Sequence, residues 1–230
     1  MKFAVIAAGA GSRLTDEGMS VPKPLVTVCG EPMIGRLLGI LRGCGADGIS
    51  VIVNPANTRT IDYLESVSGT YNLHLVVKAT ESSMHSLYEL SPWLRGCKSC
   101  VTTVDTIFRE EEFRGYVDYF NLSEADGVMG VTDFVDDEKP LYVGVDEHCM
   151  INGFYDGKSG CHCVSGGIYG LTEKSFGTLE RCVAAGQSRM RAFQRQMVAD
   201  GLRLEAYRFG QIIDVDHISD IAKAEKLIEK

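Results

Sequence analysis

The N-terminal stretch constrains the fold of this chain more than any other part of the sequence. The run Phe3-Ala4-Val5-Ile6-Ala7-Ala8 is apolar and rich in small and β-branched residues, which is typical of a strand buried on both faces of a parallel sheet. Gly9-Ala10-Gly11 follows directly. A glycine-rich turn after such a strand exposes backbone N–H groups and lets a phosphate approach the main chain. The stretch therefore predicts an α/β fold with a phosphate-binding turn.

Two cations follow the glycine turn. Arg13 carries a planar fork of donors suited to phosphate oxygens, and Lys23 adds a mobile point charge. Pro22 and Pro24 flank Lys23 and restrict the backbone that presents it. The sequence has neither the third glycine of the dinucleotide fingerprint nor the Gly-Lys-Ser/Thr of a P-loop, so neither a dehydrogenase nor a P-loop NTPase is indicated. The pattern predicts a cradle for a polyphosphate.

The next hundred residues alternate between two kinds of pattern. Apolar runs predict strands at 49–53, 73–77 and 99–104, and helical spacing predicts intervening helices at 33–44, 60–67 and 86–94. Parallel neighbours need crossover connections, so this order predicts a parallel sheet flanked by helices, with ligands at the carboxyl ends of its strands. Beyond residue 132, short strands separated by acidic or glycine-rich turns predict a mixed β region.

Length and charge limit the classes of protein. The 230 residues are compatible with one domain, with a nucleotide-binding half at about 1–132 and an acceptor-binding half at about 133–230. A formal net charge of -8 argues against a general nucleic-acid binder. We find no signal peptide pattern and no apolar run of the roughly 18 residues that a membrane helix needs, so we expect a cytoplasmic protein without a membrane partner. A homo-oligomer is compatible with the sequence.

The N-terminal motifs resemble those of the sugar-phosphate nucleotidyltransferases, also called NDP-sugar pyrophosphorylases. They are Ala7-Ala8-Gly9-Ala10-Gly11-Ser12-Arg13-Leu14, Pro22-Lys23-Pro24-Leu25-Val26 and Gly30-Glu31-Pro32-Met33-Ile34. Many members have Gly in place of Ala8 and Thr in place of Ser12. The resemblance implies a Rossmann-like, mainly parallel sheet with a small mixed β insertion. It also implies transfer of NMP from an NTP to a sugar 1-phosphate with release of pyrophosphate.

The same resemblance assigns roles to the residues of these motifs. It makes Arg13 and Lys23 catalytic, and it implies a nucleotide-binding loop made of Ala8, Gly9, Ala10, Gly11 and Ser12.

Carboxylates predict a metal site. Asp105 follows the predicted strand 99–104 where the family has a Gly-Asp pair, although Val104 replaces the glycine. A hard cation such as Mg²⁺ prefers carboxylate oxygen. Ile212-Ile213-Asp214-Val215-Asp216 resembles the motif that supplies a second metal carboxylate, with Asp214 as first choice and Asp216 as second. Capping of the final helix is the alternative role for one of these two.

A stretch rich in hydroxyls stands where the family reads the base. Thr80, Ser82 and Ser83 could hydrogen-bond a pyrimidine edge, and His85 could face a ribose or phosphate. This stretch resembles the corresponding part of cytidylyltransferases for choline phosphate and related alcohols. A helix N-cap is the alternative.

The acceptor side is predicted from two degraded motifs. The family has Phe-x-Glu-Lys-Pro shortly before Ser-Gly-Ile-Tyr. This chain has Phe154-Tyr155-Asp156-Gly157-Lys158 and then Ser165-Gly166-Gly167-Ile168-Tyr169. The resemblance implies Lys158, Ser165 and Gly166 as contacts to a small phosphorylated acceptor.

Three rival functions remain open. Within the class, the rival is a cytidylyltransferase acting on a phosphorylated alcohol such as choline phosphate. A glycosyltransferase would use a nucleotide-sugar donor, whereas Arg13 together with Lys23 favours a triphosphate. The third is a non-catalytic nucleotide-binding module, against which Asp105 and Lys23 argue.

Overall fold

The computed structural model describes residues 1–136, 138–158 and 160–229, which contain the following elements. The strands are β1 (Lys2–Ala7), β2 (Thr27–Val28), β3 (Glu31–Pro32), β4 (Ile49–Val53), β5 (Leu73–Val77), β6 (Ser99–Thr103), β7 (Thr106–Ile107), β8 (Gly127–Thr132), β9 (Tyr142–Val145), β10 (Ile151–Tyr155), β11 (Cys163–Leu171), β12 (Leu204–Phe209) and β13 (Ile213–Asp214). The helices are α1 (Ser12–Asp16), α2 (Met33–Gly43), α3 (Thr58–Tyr71), α4 (Ser83–Leu94), α5 (Glu110–Leu122), α6 (Glu173–Ala184), α7 (Met190–Ala199) and α8 (Ile218–Ile228), with a 3₁₀ turn at Lys23–Leu25.

One sheet of nine strands organises the described part of the chain. Its first half is parallel, as the sequence predicts, and the structure shows the strand order β6-β1-β4-β5. Strand β11 runs antiparallel to β6 and connects this half to β9, β10 and β8, and β12 pairs with β8 in parallel. The expected mixed β region is therefore a continuation of the same sheet.

Strand β1 shows why the apolar N-terminal run lies at the centre. Ala4 and Ile6 face a core that contains Leu87 of α4, whereas Phe3 and Val5 face a second core on the opposite side of the sheet. Burial of a side chain such as Val or Phe stabilises a fold by about 1.5–3 kcal/mol. A strand covered on both faces needs apolar residues at successive positions, which is what the sequence provides.

Two helix ends differ from the predictions. Helix α3 extends beyond the predicted 60–67 and ends at Asn72, which takes a left-handed conformation with φ 49°. Helix α4 begins three residues before the predicted residue 86, because Ser82 is its N-cap and accepts a hydrogen bond from the backbone N–H of His85. In both cases one polar capping residue sets that end of the helix, and the spacing of apolar residues does not predict that position.

A short antiparallel pair brings the C-terminal segment to the end of β6. In the β7–β13 pair, Asp214 lies opposite Thr106, and the N–H of Val215 donates to the carbonyl oxygen of Asp105 over 3.0 Å. Helix α8 follows, with His217 as its N-cap. The alternative that Asp214 or Asp216 caps this helix is therefore wrong, since the capping box consists of His217 and Asp220.

Among the described residues, no helix has both the length and the apolar character needed to cross a bilayer.

Candidate active site

A cleft of about 740 Å³ opens at the carboxyl ends of β1, β4, β5 and β6. This is the edge where an α/β sheet is expected to bind ligands. Most of the residues predicted from the sequence line it: Ala8, Gly9, Ala10, Gly11, Ser12, Arg13, Lys23, Thr80, Ser82, Ser83, Asp105, Ser165, Asp214 and Asp216. His85, Lys158 and Gly166 are not part of this lining.

The glycine turn is packed closely against Lys23. Gly11 has φ +62°, and a Cβ added there would lie 2.9 Å from the Cβ of Lys23. A larger residue would be strained and would also displace the lysine. Gly9, by contrast, has open space where a Cβ would be. The turn therefore places backbone groups at the cleft and sets the position of one cation.

Lys23 and Arg13 are both paired with carboxylates. The Nζ of Lys23 lies 2.5 Å from Asp105 Oδ2 and 2.6 Å from Asp216 Oδ1. Arg13 contacts the other oxygen of Asp216 at 2.5 Å. Burial acts to lower the pKa of Lys23, but the charges of Asp105 and Asp216 outweigh it and raise that pKa above its usual value. The cleft thus holds two fixed cations next to two fixed anions.

Asp105 and Asp214 have opposite pKa shifts. Burial favours the neutral form of Asp105, but the adjacent Lys23 outweighs it and holds the pKa of that carboxyl below its usual range. Asp214 is exposed and lines the cleft. Partial desolvation of its carboxyl group, followed by the negative charge of Asp105, raises the pKa of Asp214. Two carboxylates close enough to repel each other form a donor set that a cation would stabilise.

Asp105 and Asp214 fit a hard divalent cation, but they supply only some of the oxygen ligands that it needs. Carboxylate oxygens are the ligands that Mg²⁺ prefers, and this ion commonly takes one or two of them and completes its shell with water and substrate phosphates. In the three described segments, no group of three or more His, Cys, Asp or Glu residues could hold a metal ion. Asp105 and Asp214 would therefore share the ion with a bound substrate.

The stretch predicted to contact the base both caps helix α4 and lines the cleft. Ser82 accepts from the backbone of His85 and lies 3.1 Å from its ring Nδ1, so the imidazole turns back toward the cap. The hydroxyls of Thr80 and Ser86 are 2.6 Å apart. The capping interpretation therefore holds for Ser82, and Thr80, Ser82 and Ser83 still line the cleft.

The acceptor-side wall differs from the two motifs that predicted it. Lys158 is exposed in the turn after β10 and lies outside the cleft lining, and Gly166 lines a second cavity of about 160 Å³. Ser165 lines both cavities and accepts a hydrogen bond from the amide of Gln194 over 2.9 Å. Gln194 is 1% exposed.

Two arginines were missed by the sequence reasoning. Arg189 and Arg191, at the start of α7, line the cleft. Arg191 pairs with Asp156 at 2.6 Å, whereas the side chain of Arg189 has no polar partner among residues 1–136, 138–158 and 160–229. Arg189 is the N-cap of α7, where the helix dipole disfavours a positive charge. An arginine just before a predicted helix is therefore the feature of the sequence that indicates a role for Arg189 other than stabilising the helix.

Comparisons with known proteins agree with this architecture. A putative glucose-1-phosphate thymidylyltransferase from Bacillus anthracis superposes with a TM-score of 0.85 at 20% identity, covering 99% of this chain and 94% of that one. This confirms the predicted nucleotidyltransferase fold.

The curated relatives differ in how much of their own length the match covers. A choline-phosphate cytidylyltransferase from Streptococcus pneumoniae is 25% identical over 100% of this chain and 99% of its own. CMP-5'-(3-aminopropyl)phosphonate synthase from Streptomyces rubellomurinus is 30% identical over 38% of this chain and 14% of its own. The chain spans between 14% and 44% of the length of the first three curated relatives that it matches.

A family model matches most of the chain. The MobA-like NTP transferase domain matches residues 3–199, which include the glycine turn, both cleft cations and Asp105. The chain belongs to the family of MobA-like NTP transferase domains.

Proposed function

We propose that this chain is a metal-dependent nucleotidyltransferase that transfers NMP from an NTP to a small phosphorylated acceptor. The observation that supports this best is the convergence of Arg13 and Lys23 with Asp105 and Asp214 in one cleft beside the glycine turn. In the reaction, an acceptor phosphate oxygen bonds to the α-phosphorus. The bond from that phosphorus to the α–β bridging oxygen breaks, and pyrophosphate leaves.

The residues of the cleft divide this work. Arg13 and Lys23 neutralise the triphosphate, while the backbone of the Gly9-Ala10-Gly11 turn offers N–H donors. Phosphoryl transfer depends chiefly on positioning and on charge stabilisation, so no protein nucleophile is required. An incoming triphosphate competes with Asp216 for both cations, since each is paired with that carboxylate in the structure.

Asp105 and Asp214 are the residues that would hold the metal. A bound Mg²⁺ supplies positive charge to the phosphate oxygens during transfer. Asp214 is the better second ligand because both carboxylate oxygens of Asp216 are paired with cations, whereas only Oδ2 of Asp105 is paired and no cation is paired with Asp214 among the described residues.

The acceptor phosphate needs a separate cation. Arg189 is suited to this role, because it lines the cleft and has no polar partner in the described part of the chain. Its planar guanidinium matches a phosphate or phosphonate group. Lys158 would have to move into the cleft to take the same role.

Two acceptor classes fit this site. A sugar 1-phosphate is the first, on the resemblance of the N-terminal motifs. The second is a phosphorylated alcohol used with CTP, as for the choline-phosphate cytidylyltransferase that matches this chain over its full length. That full-length match is the observation in favour of the second class.

The deciding experiment measures pyrophosphate release with Mg²⁺. Each common NTP and dTTP would be paired with sugar 1-phosphates, choline phosphate and aminoalkyl phosphonates. We expect release that requires one nucleotide together with one acceptor, and Asp105→Asn should abolish it. Turnover of a nucleotide-sugar instead would indicate a glycosyltransferase. Nucleotide binding without turnover of any pair would favour a non-catalytic module.

A further inference from the structure

A chain of two hydroxyls lies beside the carboxylates of the cleft. The Oγ1 atoms of Thr103 and Thr106 are 2.6 Å apart, and Thr106 Oγ1 donates to Asp214 Oδ1 over 3.1 Å. A hydroxyl has one proton to donate. Either hydroxyl can donate in the Thr103–Thr106 contact, and the Thr103 hydroxyl also hydrogen-bonds to Asp105, so the two hydroxyls lie between Asp105 and Asp214.

The backbone places these groups side by side. Thr106 and Asp214 are paired residues in the β7–β13 ladder, which is only two residues long in each strand. So short a ladder fixes little of a side chain's direction. Thr106 is 2% exposed whereas Asp214 is exposed, so a buried hydroxyl holds one oxygen of an exposed carboxylate.

Gly167 leaves room for the two hydroxyls. It has φ +72°, and a Cβ added there would lie 2.5 Å from Thr106 Oγ1 and 2.8 Å from Thr103 Oγ1. A side chain at position 167 would therefore collide with both hydroxyls, which a glycine in strand β11 avoids.

We propose that Thr106 is a positioning residue that holds Asp214 Oδ1 and so directs the other oxygen of Asp214 toward a divalent cation shared with Asp105. This rests on the proposed function only in assigning these two carboxylates to the cation. A carboxylate that is already held in one orientation loses less conformational freedom when it binds a metal. Hydrogen bonds to metal ligands change metal affinity about 10-fold to 100-fold.

Mn²⁺ binding tests this without turnover. The free Mn²⁺ signal in electron paramagnetic resonance would be titrated with the protein alone and with the α,β-methylene analogue of CTP. Thr106→Val keeps the branched shape and removes the hydroxyl, and we expect it to weaken Mn²⁺ binding about tenfold. Thr106→Ser restores the hydroxyl and should bind within about twofold of the wild type.

Thr178→Val is the matched control. Thr178 is also fully buried and donates to an aspartate, with its Oγ1 2.6 Å from Asp200 Oδ2, but neither residue lines the cleft. This variant should lose stability by a similar amount and keep the wild-type Mn²⁺ affinity. The comparison separates loss of the hydroxyl beside Asp214 from general destabilisation.

Four results would overturn the proposal. They are wild-type Mn²⁺ affinity in Thr106→Val, equal weakening in Thr106→Ser, equal weakening in Thr178→Val, and no Mn²⁺ binding by the wild type. The proposed function fails separately, if no nucleotide and acceptor pair releases pyrophosphate while the Mn²⁺ affinities differ as expected.

Discussion

Lys23 is the residue on which the charge balance of the cleft depends. Its side chain is 10% exposed, and it contacts Asp105 and Asp216 together. Removal of a lysine from such a position leaves partly buried carboxylates without their counter-ion, which is far more costly than loss of an exposed ion pair. The residue therefore contributes both to substrate binding and to the stability of the unliganded protein.

Lys23→Met is expected to lower kcat/KM about 100-fold to 1,000-fold, because it removes a cation from the transferring phosphates. It should also lower the free energy of unfolding by roughly 3 kcal/mol. Pyrophosphate release and urea denaturation measure the two effects. Lys78→Met is the control, since the side chain of Lys78 is 52% exposed, pairs with Glu89 and lies outside the cleft lining. Equal effects in the two variants would contradict the role of Lys23.

Arg189 and Lys158 give a direct comparison of two candidate acceptor contacts. Arg189→Ala is expected to raise KM for the acceptor at least tenfold, since tenfold corresponds to about 1.4 kcal/mol and a hydrogen bond to a charged group contributes about 1.5–3 kcal/mol. KM for the nucleotide should stay nearly unchanged. Lys158→Ala should change neither constant. Steady-state kinetics with each substrate varied in turn would measure this. A larger effect from Lys158→Ala would support the motif-based assignment instead.

Helix α4 shows how one element tolerates an unfavourable residue. Pro92 lies inside this helix and has no N–H to donate to the carbonyl of Tyr88. The hydroxyl of Ser91 donates to that carbonyl oxygen over 2.7 Å. A side chain therefore replaces the missing backbone hydrogen bond, and the helix continues to Leu94.

Ser91→Ala is expected to lower the free energy of unfolding by about 1–3 kcal/mol, because it leaves a backbone carbonyl without a partner beside a buried position. Ser66→Ala is the control in α3, at an exposed position, whereas Ser91 is buried. Ser66 also donates to the carbonyl three residues before it, over 2.7 Å, but no proline interrupts that helix. Urea denaturation compares the two, and equal losses would show that Pro92 creates no special need for Ser91.

The elements themselves were largely predictable from local pattern. The predicted strands 49–53 and 73–77 match β4 and β5. Successive apolar residues specify β4 because it is buried at every position, whereas β5 is a partly buried strand at the edge of the sheet. Helix ends were less predictable. The left-handed Asn72 and the N-cap Ser82 act through single hydrogen bonds and backbone angles, which the periodicity of apolar residues does not encode.

At the scale of the whole molecule, acid stability should depend on Asp200. Hydrogen bonds from Thr178, then Gln196 and Arg181, lower the pKa of Asp200 to about 2. The folded-state pKa lies below the unfolded value of about 3.9, so this group stabilises the protein above pH 4 and the contribution is lost as the pH falls from about 4 to 2. Asp200→Asn should remove that part of the pH dependence.

Urea denaturation between pH 2 and pH 7 would measure this effect. The difference in unfolding free energy between the wild type and Asp200→Asn should be constant above about pH 5 and shrink toward pH 2. A difference that stays constant over the whole range would refute the assignment.

The sequence by itself determined the order of the elements and the chemical types present at the cleft. Apolar runs specify buried strands, and a glycine turn with Arg13 and Lys23 specifies phosphate chemistry, because both signals depend on residues close together in the chain. Tertiary structure alone decided that Arg189 enters the cleft while Lys158 stays outside it, and that Asp216 pairs with cations while Asp214 meets Thr106. Those contacts join residues that are far apart in the chain, up to 203 positions for Arg13 and Asp216, and depend on how β7, β13 and α7 pack against the sheet.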